Sequence, residues 1–335
     1  MFKNLPIYFL LFACLVSLSH NARADRVEGL TWAPPAQLSP NVYRVTKHKK
    51  SIRVQKNNDI PKTYALTSHI QIKLRNNEDA IVVLPNDILS IPSLRIHHGR
   101  HIRIIGGHLK AVMPANKTVR GLIWAGGTRG SIYIEGVVLD ADFQNGMDAL
   151  LVGGYSNQPA QTYPDVYVQN VVMQNVVSAD GNIYHADCFQ YYGPVNSTFM
   201  DRVDCKTDTQ GFFIPPQNHI GSIDLRRVTI DYIHPKTANG YALYLRDRPD
   251  DQAVPTSLSD VYVGRRDTSF GYGFDGEWGV YSVFPHTLQK HGGKRVENKI
   301  TFPHQPEIIG GISLLKDESF VLDAGAAYRP VYYGD

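Results

Sequence analysis

A short pattern that recurs through the middle of the chain constrains the fold more than any other feature of the sequence. In each copy, apolar and polar residues alternate, the chain bends over two residues, and the alternation resumes. Alternation with a period of two is typical of β-strands and not of helices. The pattern therefore predicts two short strands and a bend in every copy. The copies begin at His101, Ser131, Asp165, Ser197 and Ser222, and a weaker one begins at Asp260.

The spacing of the copies separates two kinds of repeat architecture. Successive copies start 25 to 38 residues apart. A propeller blade needs four strands and a longer, more even period. A parallel β-helix needs only about three short strands in each coil and accepts loops of variable length between them. We therefore predict an all-β fold, a single-stranded right-handed parallel β-helix.

The third strand of each coil is expected to precede the repeated pattern. Its third and fifth residues are predicted to face the core, which places Trp124 inside, and its fourth residue is predicted to face outward. The first residues of these strands are Arg120, Asp148, Asp187, Gln210 and Asn239. The outward-facing fourth residues are Ile123, Leu151, Gln190, Phe213 and Ala242.

The ends of the chain differ from the repeat. Residues 1–24 are typical of a signal peptide, because Lys3 precedes a short apolar run and Ala22-Arg23-Ala24 forms a cleavage site. An uncleaved anchor is the alternative, although the run is short for a membrane span. We expect a secreted or periplasmic protein whose residues 25–335 form one domain. Its predicted parts are an N-terminal cap and first coil (25–100), repeat coils (101–267) and an irregular C-terminal cap (268–335).

Charge and cysteine content exclude two classes of function. The formal charge of the whole chain is +3, and removing Lys3 and Arg23 with the leader lowers it to +1. A nearly neutral chain gives no electrostatic basis for binding nucleic acid. Cys188 and Cys205 remain after cleavage, without a C-x-x-C motif for zinc or redox chemistry. We expect them on different sides of the coil interior and therefore unpaired.

The repeat resembles the pectin-lyase-like family of right-handed parallel β-helix proteins over residues 80–267. His185–Tyr191 is similar in form to the polygalacturonase signature Asn-Thr-Asp-Gly-Ile-Asp-Ile. The resemblance implies a catalytic carboxylate at Asp187. Thr209-Gln210 stand where polygalacturonases have two adjacent carboxylates, and Asn239-Gly240 stand where they have His-Gly. The chain thus resembles a secreted branch of the family in which the polygalacturonase triad is not intact.

Polar residues near the starts of the third strands form the candidate catalytic group. Neighbouring strands lie about 4.8 Å apart, so Asp148, Asp187 and Asp208 should approach one another, with His185 beside them. Carboxylates about 5–5.5 Å apart are used by retaining glycosidases. A lyase would instead use His185 or Lys206 as its base. Alternatively, these carboxylates only cap turns.

Aromatic, amide and cationic side chains beside this group are predicted to bind the substrate, because such groups suit sugar rings. In the lyase alternative, Arg246 neutralises a uronate. The predicted function is therefore cleavage or modification of an acidic polysaccharide by lyase or glycosidase chemistry, without a cofactor. Clustered carboxylates can also bind calcium, but no calcium loop motif is present. A non-catalytic glycan-binding or envelope-structural protein is the alternative. The predicted substrate-binding residues are Gln190, Tyr192, Gln210, Phe213, Asn239, Tyr244, Arg246 and Lys206.

Overall fold

The protein is all-β over the residues that the computed structural model describes. These residues are 31–113, 119–144, 146–178, 186–214, 221–233, 241–245, 255–264, 294–296, 299–302 and 324. One 3-10 turn, Ala160–Thr162, accompanies the strands. The strands are β1 (Asn41–His48), β2 (Ser51–Lys56), β3 (Lys62–Ala65), β4 (Ile70–Lys73), β5 (Ala80–Val83), β6 (Ile88–Ile91), β7 (Leu94–His97), β8 (His101–Ile105), β9 (His108–Ala111), β10 (Ile123–Gly126), β11 (Ser131–Glu135), β12 (Val138–Asp140), β13 (Leu150–Gly153), β14 (Asp165–Val176), β15 (Asp187–Tyr191), β16 (Thr198–Thr207), β17 (Gln210–Phe213), β18 (Ile223–Tyr232), β19 (Leu243–Tyr244), β20 (Thr256–Gly264), β21 (Lys294–Val296) and β22 (Lys299–Phe302).

The described strands form two sheets between which the chain passes repeatedly. The second sheet has the parallel order β19-β17-β15-β13-β10-β7-β4. The first sheet is parallel from β20 through β18, β16, β14, β11, β8 and β5 to β1, and the short strands β6, β9 and β12 extend it. Each return to a sheet adds the next strand beside the previous one, so sequence repeats become neighbours in register. Antiparallel strands β2–β3 and β21–β22 continue the first sheet at its two ends.

The predicted bend within each repeat is a column of residues with positive φ. Gly106 and Gly136 occupy it in the early copies, and Asn170 follows with a φ of 54°. Left-handed backbone is easy for Gly and tolerated by Asn, which explains why this column begins with these residue types. The bend divides the long strands β14, β16, β18 and β20 into two halves. The remaining members of the column are Arg202, Arg227 and Asp260. The last copy was predicted to begin at Asp260, but Asp260 is its bend, because Leu258 pairs with Leu225 and Val261 pairs with Val228.

Substitution of Asn170 measures how strongly the bend depends on backbone conformation. Asn170 is fully buried, and both Asn170→Gly and Asn170→Val remove its side-chain interactions. Valine is β-branched, so it is in addition disfavoured at a positive φ, whereas glycine is not. We therefore expect Asn170→Val to lower the free energy of unfolding by about 1–3 kcal/mol more than Asn170→Gly. Denaturant titration of the two variants gives this difference, and equal stabilities would contradict it.

The hydrophobic core lies between the two sheets and is built from in-register stacks. Ile132 pairs with Val166, Val166 with Thr198, and Thr198 with Ile223. The copies of the repeat therefore stack in register. In the second sheet, Phe189 and Phe212 are in register and fully buried. Their ring centroids are 6.1 Å apart. Stacking of similar side chains therefore joins each coil to the next.

The predicted alignment of the second-sheet strands is right in the middle and wrong at both ends. Ile123 pairs with Leu150, so Trp124 faces outward beside Leu151 and not into the core. Leu243 pairs with Phe212, and Ala242, which we predicted to face outward, is buried. At the first end, the ladder bond from the Leu122 amide to the Asp148 carbonyl puts Gly121, not Arg120, at the strand entrance. A small residue follows the first residue of each predicted third strand, but this feature alone did not determine the register. These residues are Gly121, Ala149, Cys188, Gly211 and Gly240.

The prediction that Cys188 and Cys205 stay unpaired is wrong. The structure joins them in a disulfide with a Cα–Cα distance of 6.0 Å, which lies in the range that disulfides require. Cys205 faces the core from the first sheet, and Cys188 lies in β15 of the second. The interior between the sheets is thus narrow enough at this coil for one disulfide to cross it.

A segment before β1 crosses the outer face of the first sheet. The backbone of Trp32 exchanges two hydrogen bonds with the side-chain amide of Gln169, at 3.0 and 2.8 Å. Its indole packs 5.3 Å from the ring of Phe199. Further along, Gln37 donates to the carbonyls of Ala80 and His101. The segment therefore spans several strands. The predicted leader and most of the predicted C-terminal cap lie outside the described residues.

Candidate functional site

The side chains on the outer face of the second sheet form one continuous strip, here called the outer strip. Parallel pairing places residues with the same orientation beside one another on successive strands. A second row runs next to the first. The first row is Gln71, Arg95, Trp124, Leu151, Gln190, Phe213 and Tyr244. The second row is Lys73, His97, Gly126 and Gly153.

Two glycines leave the middle of the outer strip without side chains. Gly126 and Gly153 are in register on β10 and β13. A Cβ on Gly126 would lie 2.8 Å from Trp124 Nε1, and one on Gly153 would lie 2.7 Å from the Gly193 carbonyl oxygen. Neither position has room for a side chain. Trp124 also contacts Tyr192 edge to face, with ring centroids 4.7 Å apart. The protein itself fills the space over both buried glycines, so these glycines allow close packing within the fold.

Aromatic rings continue at the other end of the outer strip. Phe213 and Tyr244 stack with centroids 4.9 Å apart and an interplanar angle of 16°. Tyr241 stacks on Tyr244 at 5.6 Å. Tyr192 is 45% exposed, so part of this aromatic surface is open to solvent. Three residues predicted to bind substrate, Tyr192, Phe213 and Tyr244, therefore line the same face.

Two carboxylates lie together at the edge of the outer strip. Asp187 is fully buried and Asp148 is 3% exposed. The Asp187 amide donates a 2.9 Å hydrogen bond to Asp148 Oδ1. The side-chain amide nitrogen of Gln190 is oriented to donate to Asp187 Oδ2 at 3.2 Å and to Asp148 Oδ2 at 3.3 Å. Gln190 thus links this carboxylate pair to the strip, and Gln210 lies in register beside Asp187.

Asp208 contacts the corner that precedes Asp187. Its Oδ1 accepts a 2.9 Å hydrogen bond from the Ser178 amide. The Ser178 hydroxyl in turn accepts from the Ala186 amide at 2.6 Å and lies 3.0 Å from the hydroxyl of Thr209. This network connects two successive corners, the one between β14 and β15 and the one between β16 and β17. Asp208 therefore acts on the corner that leads into Asp187, as a positioning residue.

Of the remaining predicted site residues, the described structure includes only Lys206. Lys206 is exposed on the first sheet, where it is in register with Asp231. It lies on a different sheet from Gln190, so the structure separates it from the outer strip. His185, Asn239 and Arg246 lie outside the described residues. Within the described part of the chain, no group of three or more His, Cys, Asp or Glu side chains is arranged to hold a metal ion.

Three residues of the outer strip were missed by sequence reasoning. The guanidinium carbon of Arg95 lies 5.2 Å from the ring centroid of Trp124, and the His97 ring lies 5.8 Å from it. Burial lowers the pKa of Arg95. Burial also lowers the pKa of His97, and the positive charges of the nearby basic side chains His98, Arg95 and Lys73 lower it further. The alternation Leu94-Arg95-Ile96-His97 was a usable signal, because it repeats the third-strand pattern one coil earlier.

A second polar cluster lies on the first sheet around Asp140. Asn175 donates to Asp140 Oδ1 at 2.8 Å, the Asp142 amide donates to the same oxygen at 2.8 Å, and Gln174 donates to Oδ2 at 3.3 Å. His108 Nε2 lies 3.9 Å from Oδ2. Burial alone would raise the pKa of Asp140, but His108 and these donors hold it well below its ordinary value. The cluster therefore stabilises an acidic turn in its charged form.

Asp140 makes a testable contribution to stability at acid pH. An ordinary aspartate has a pKa of about 3.9, and the folded state lowers it. The contribution is thus fully present above that value and is lost as the pH falls toward the folded-state pKa. We expect the free energy of unfolding of Asp140→Asn to decline less than that of the wild type between about pH 5 and pH 3. Denaturant titrations at several pH values check this, and parallel declines would contradict it.

Comparisons of the chain with models of protein families, with curated proteins and with solved structures find no match. In the described residues, no helix is both long and apolar enough to cross a membrane.

Proposed function

We propose that this chain is a secreted or periplasmic right-handed parallel β-helix protein that acts on an acidic polysaccharide along the outer strip. Two parallel sheets connected coil by coil, with one bend column, support the proposed fold. The aromatic rings of the outer strip support the proposed ligand, because rings flanked by amide and cationic groups suit sugars. The carboxylate pair at its edge supports an enzymatic activity of the lyase or glycosidase type.

The observation that carries the proposal is the sharing of Gln190 by Asp148 and Asp187. Both Oδ2 atoms lie within 3.3 Å of one nitrogen, so the carboxylates are close enough to cooperate. In a retaining glycosidase, one of two such groups attacks the anomeric carbon and the other protonates the leaving oxygen. In a lyase, one carboxylate would accept the proton next to the uronate while the bond to the leaving oxygen breaks. Both routes require Asp187 beside the bound sugar.

A non-catalytic glycan-binding or envelope-structural protein is the second candidate, and one contact favours it. Asp148 Oδ1 accepts a hydrogen bond from the Asp187 amide. A carboxylate that caps a turn at the entrance of a strand makes this kind of bond. In that case the outer strip would hold the polysaccharide without cleaving it.

Incubation of the mature protein with a panel of polyuronates and neutral glycans separates these functions. New reducing ends with ultraviolet absorbance from an unsaturated product indicate a lyase, and new reducing ends without it indicate a hydrolase. Retention of a polyuronate without any product indicates the binding protein. The proposal expects a product from at least one polyuronate, and neither product nor binding across the panel would contradict it.

A further inference from the structure

We infer that Lys73, Arg95 and His97, together with Trp124, form a subsite that recognises an anionic group on a sugar. This inference rests on the proposed function, because it assigns the charge recognition of the same outer strip to particular residues. It concerns the end of the strip built by β4, β7 and β10, away from the carboxylate pair.

Arg95 lies in the outer strip without an acidic partner among the described residues, unlike Arg100 and Arg226. Arg100 pairs with Asp79 at 2.7 Å, and Arg226 pairs with Asp224 at 2.6 Å. Arg95 forms no ion pair with any described residue, and its Nε is buried without a hydrogen-bond partner there. Its neighbours in the row are Gln71 and Trp124. A half-buried cation in this setting is left available for an anion supplied from outside.

The groups around Arg95 also favour an anion. Lys73 is exposed in the neighbouring row and carries a second positive charge. The charged and basic groups that act on His97 are His98, Arg95 and Lys73, and no carboxylate is among them. The guanidinium fork matches the geometry of a carboxylate or a sulfate. Trp124 beside it offers a surface on which a sugar ring can stack.

The position of this subsite fits an extended polymer. Three strand spacings separate β7 from β15, which is about 14 Å across the sheet. A chain that reaches from Arg95 to Asp187 therefore spans a few sugar units.

Binding of three matched oligosaccharides to Arg95→Gln tests the inference. The probes are a uronic-acid hexasaccharide, the same hexasaccharide with its carboxyls methyl-esterified, and a sulfated neutral hexasaccharide. Arg53→Gln is the control, because Arg53 is exposed on β2 and the substitution changes the net charge equally. Calorimetry is expected to show that the wild type prefers a charged probe and that Arg95→Gln weakens this binding about tenfold or more. Arg53→Gln is expected to bind as the wild type does.

The outcomes separate this inference from the proposed function. If Arg95→Gln weakens the binding of the uronate alone, or of the sulfated probe alone, the result identifies which anion the subsite binds. Equal binding of all three hexasaccharides by all three proteins would overturn the anionic subsite and leave glycan binding intact. Equal weakening by Arg53→Gln would also overturn it, because the effect would then be one of net charge. Failure of every probe to bind the wild type would contradict both the subsite and the proposed function.

Discussion

Asp187→Asn is expected to reduce turnover of the polysaccharide by at least about 100-fold while the protein remains folded. Asparagine keeps the size of the side chain and a carbonyl oxygen that accepts hydrogen bonds, but it cannot exchange a proton at neutral pH. Asp187 lies beside Asp148 and is the carboxylate that both proposed routes use for proton transfer or attack. Turnover numbers and thermal unfolding of the purified variant test both parts of the prediction.

Asp59→Asn provides the control for this substitution. Asp59 is exposed in the turn after β2, and its replacement makes the same chemical change away from the outer strip. Full activity is expected for this control. Equal turnover by wild type and Asp187→Asn, on a substrate that the wild type cleaves, would contradict the catalytic role. Asp187 would then be a turn residue, and the binding-protein candidate would gain support.

Removal of the disulfide is expected to lower the free energy of unfolding by about 3 kcal/mol, since it closes a loop of intermediate length. The double variant Cys188→Ala, Cys205→Ala tests this by denaturant titration against the oxidised wild type. Cys188 directly follows Asp187, so the variant is also expected to lose turnover through displacement of the carboxylate.

Two controls accompany the disulfide prediction. The wild type unfolded under reducing conditions should be about as unstable as the double variant. The intact mass of the native protein should be lower than that of the reduced protein by two hydrogens. Equal native and reduced masses would show that the cysteines are free and would contradict the pairing.

The sequence pattern predicted most strands because alternation and the bend are local properties. Ile132 and Val166 stack as expected, and the bend column begins with the glycines at 106 and 136. Register at the ends of the second sheet was not predictable in this way. The predicted alignment was shifted by one residue at Trp124 and therefore placed this side chain in the core. The small corner residues fit both alignments equally well.

Long-range contacts explain the other differences between expectation and structure. The disulfide depends on the width of the interior, which alternation does not report. Trp32 bonds to Gln169 across 137 residues, and no repeat signal marks that contact. Within the site, stacking predicted that Asp148 and Asp187 are neighbours, but their link through Gln190 and the attachment of Asp208 to Ser178 depend on side-chain directions at corners.

The central claim is that the outer strip holds an acidic polysaccharide beside Asp187. A crystal structure of Asp187→Asn with a bound uronic-acid hexasaccharide tests it most directly, since the inactive variant preserves the ligand. We predict sugar rings along the outer strip between Arg95 and Phe213, with one glycosidic bond next to Gln190. A hexasaccharide bound on the first sheet, or none bound at saturating concentration, would contradict it.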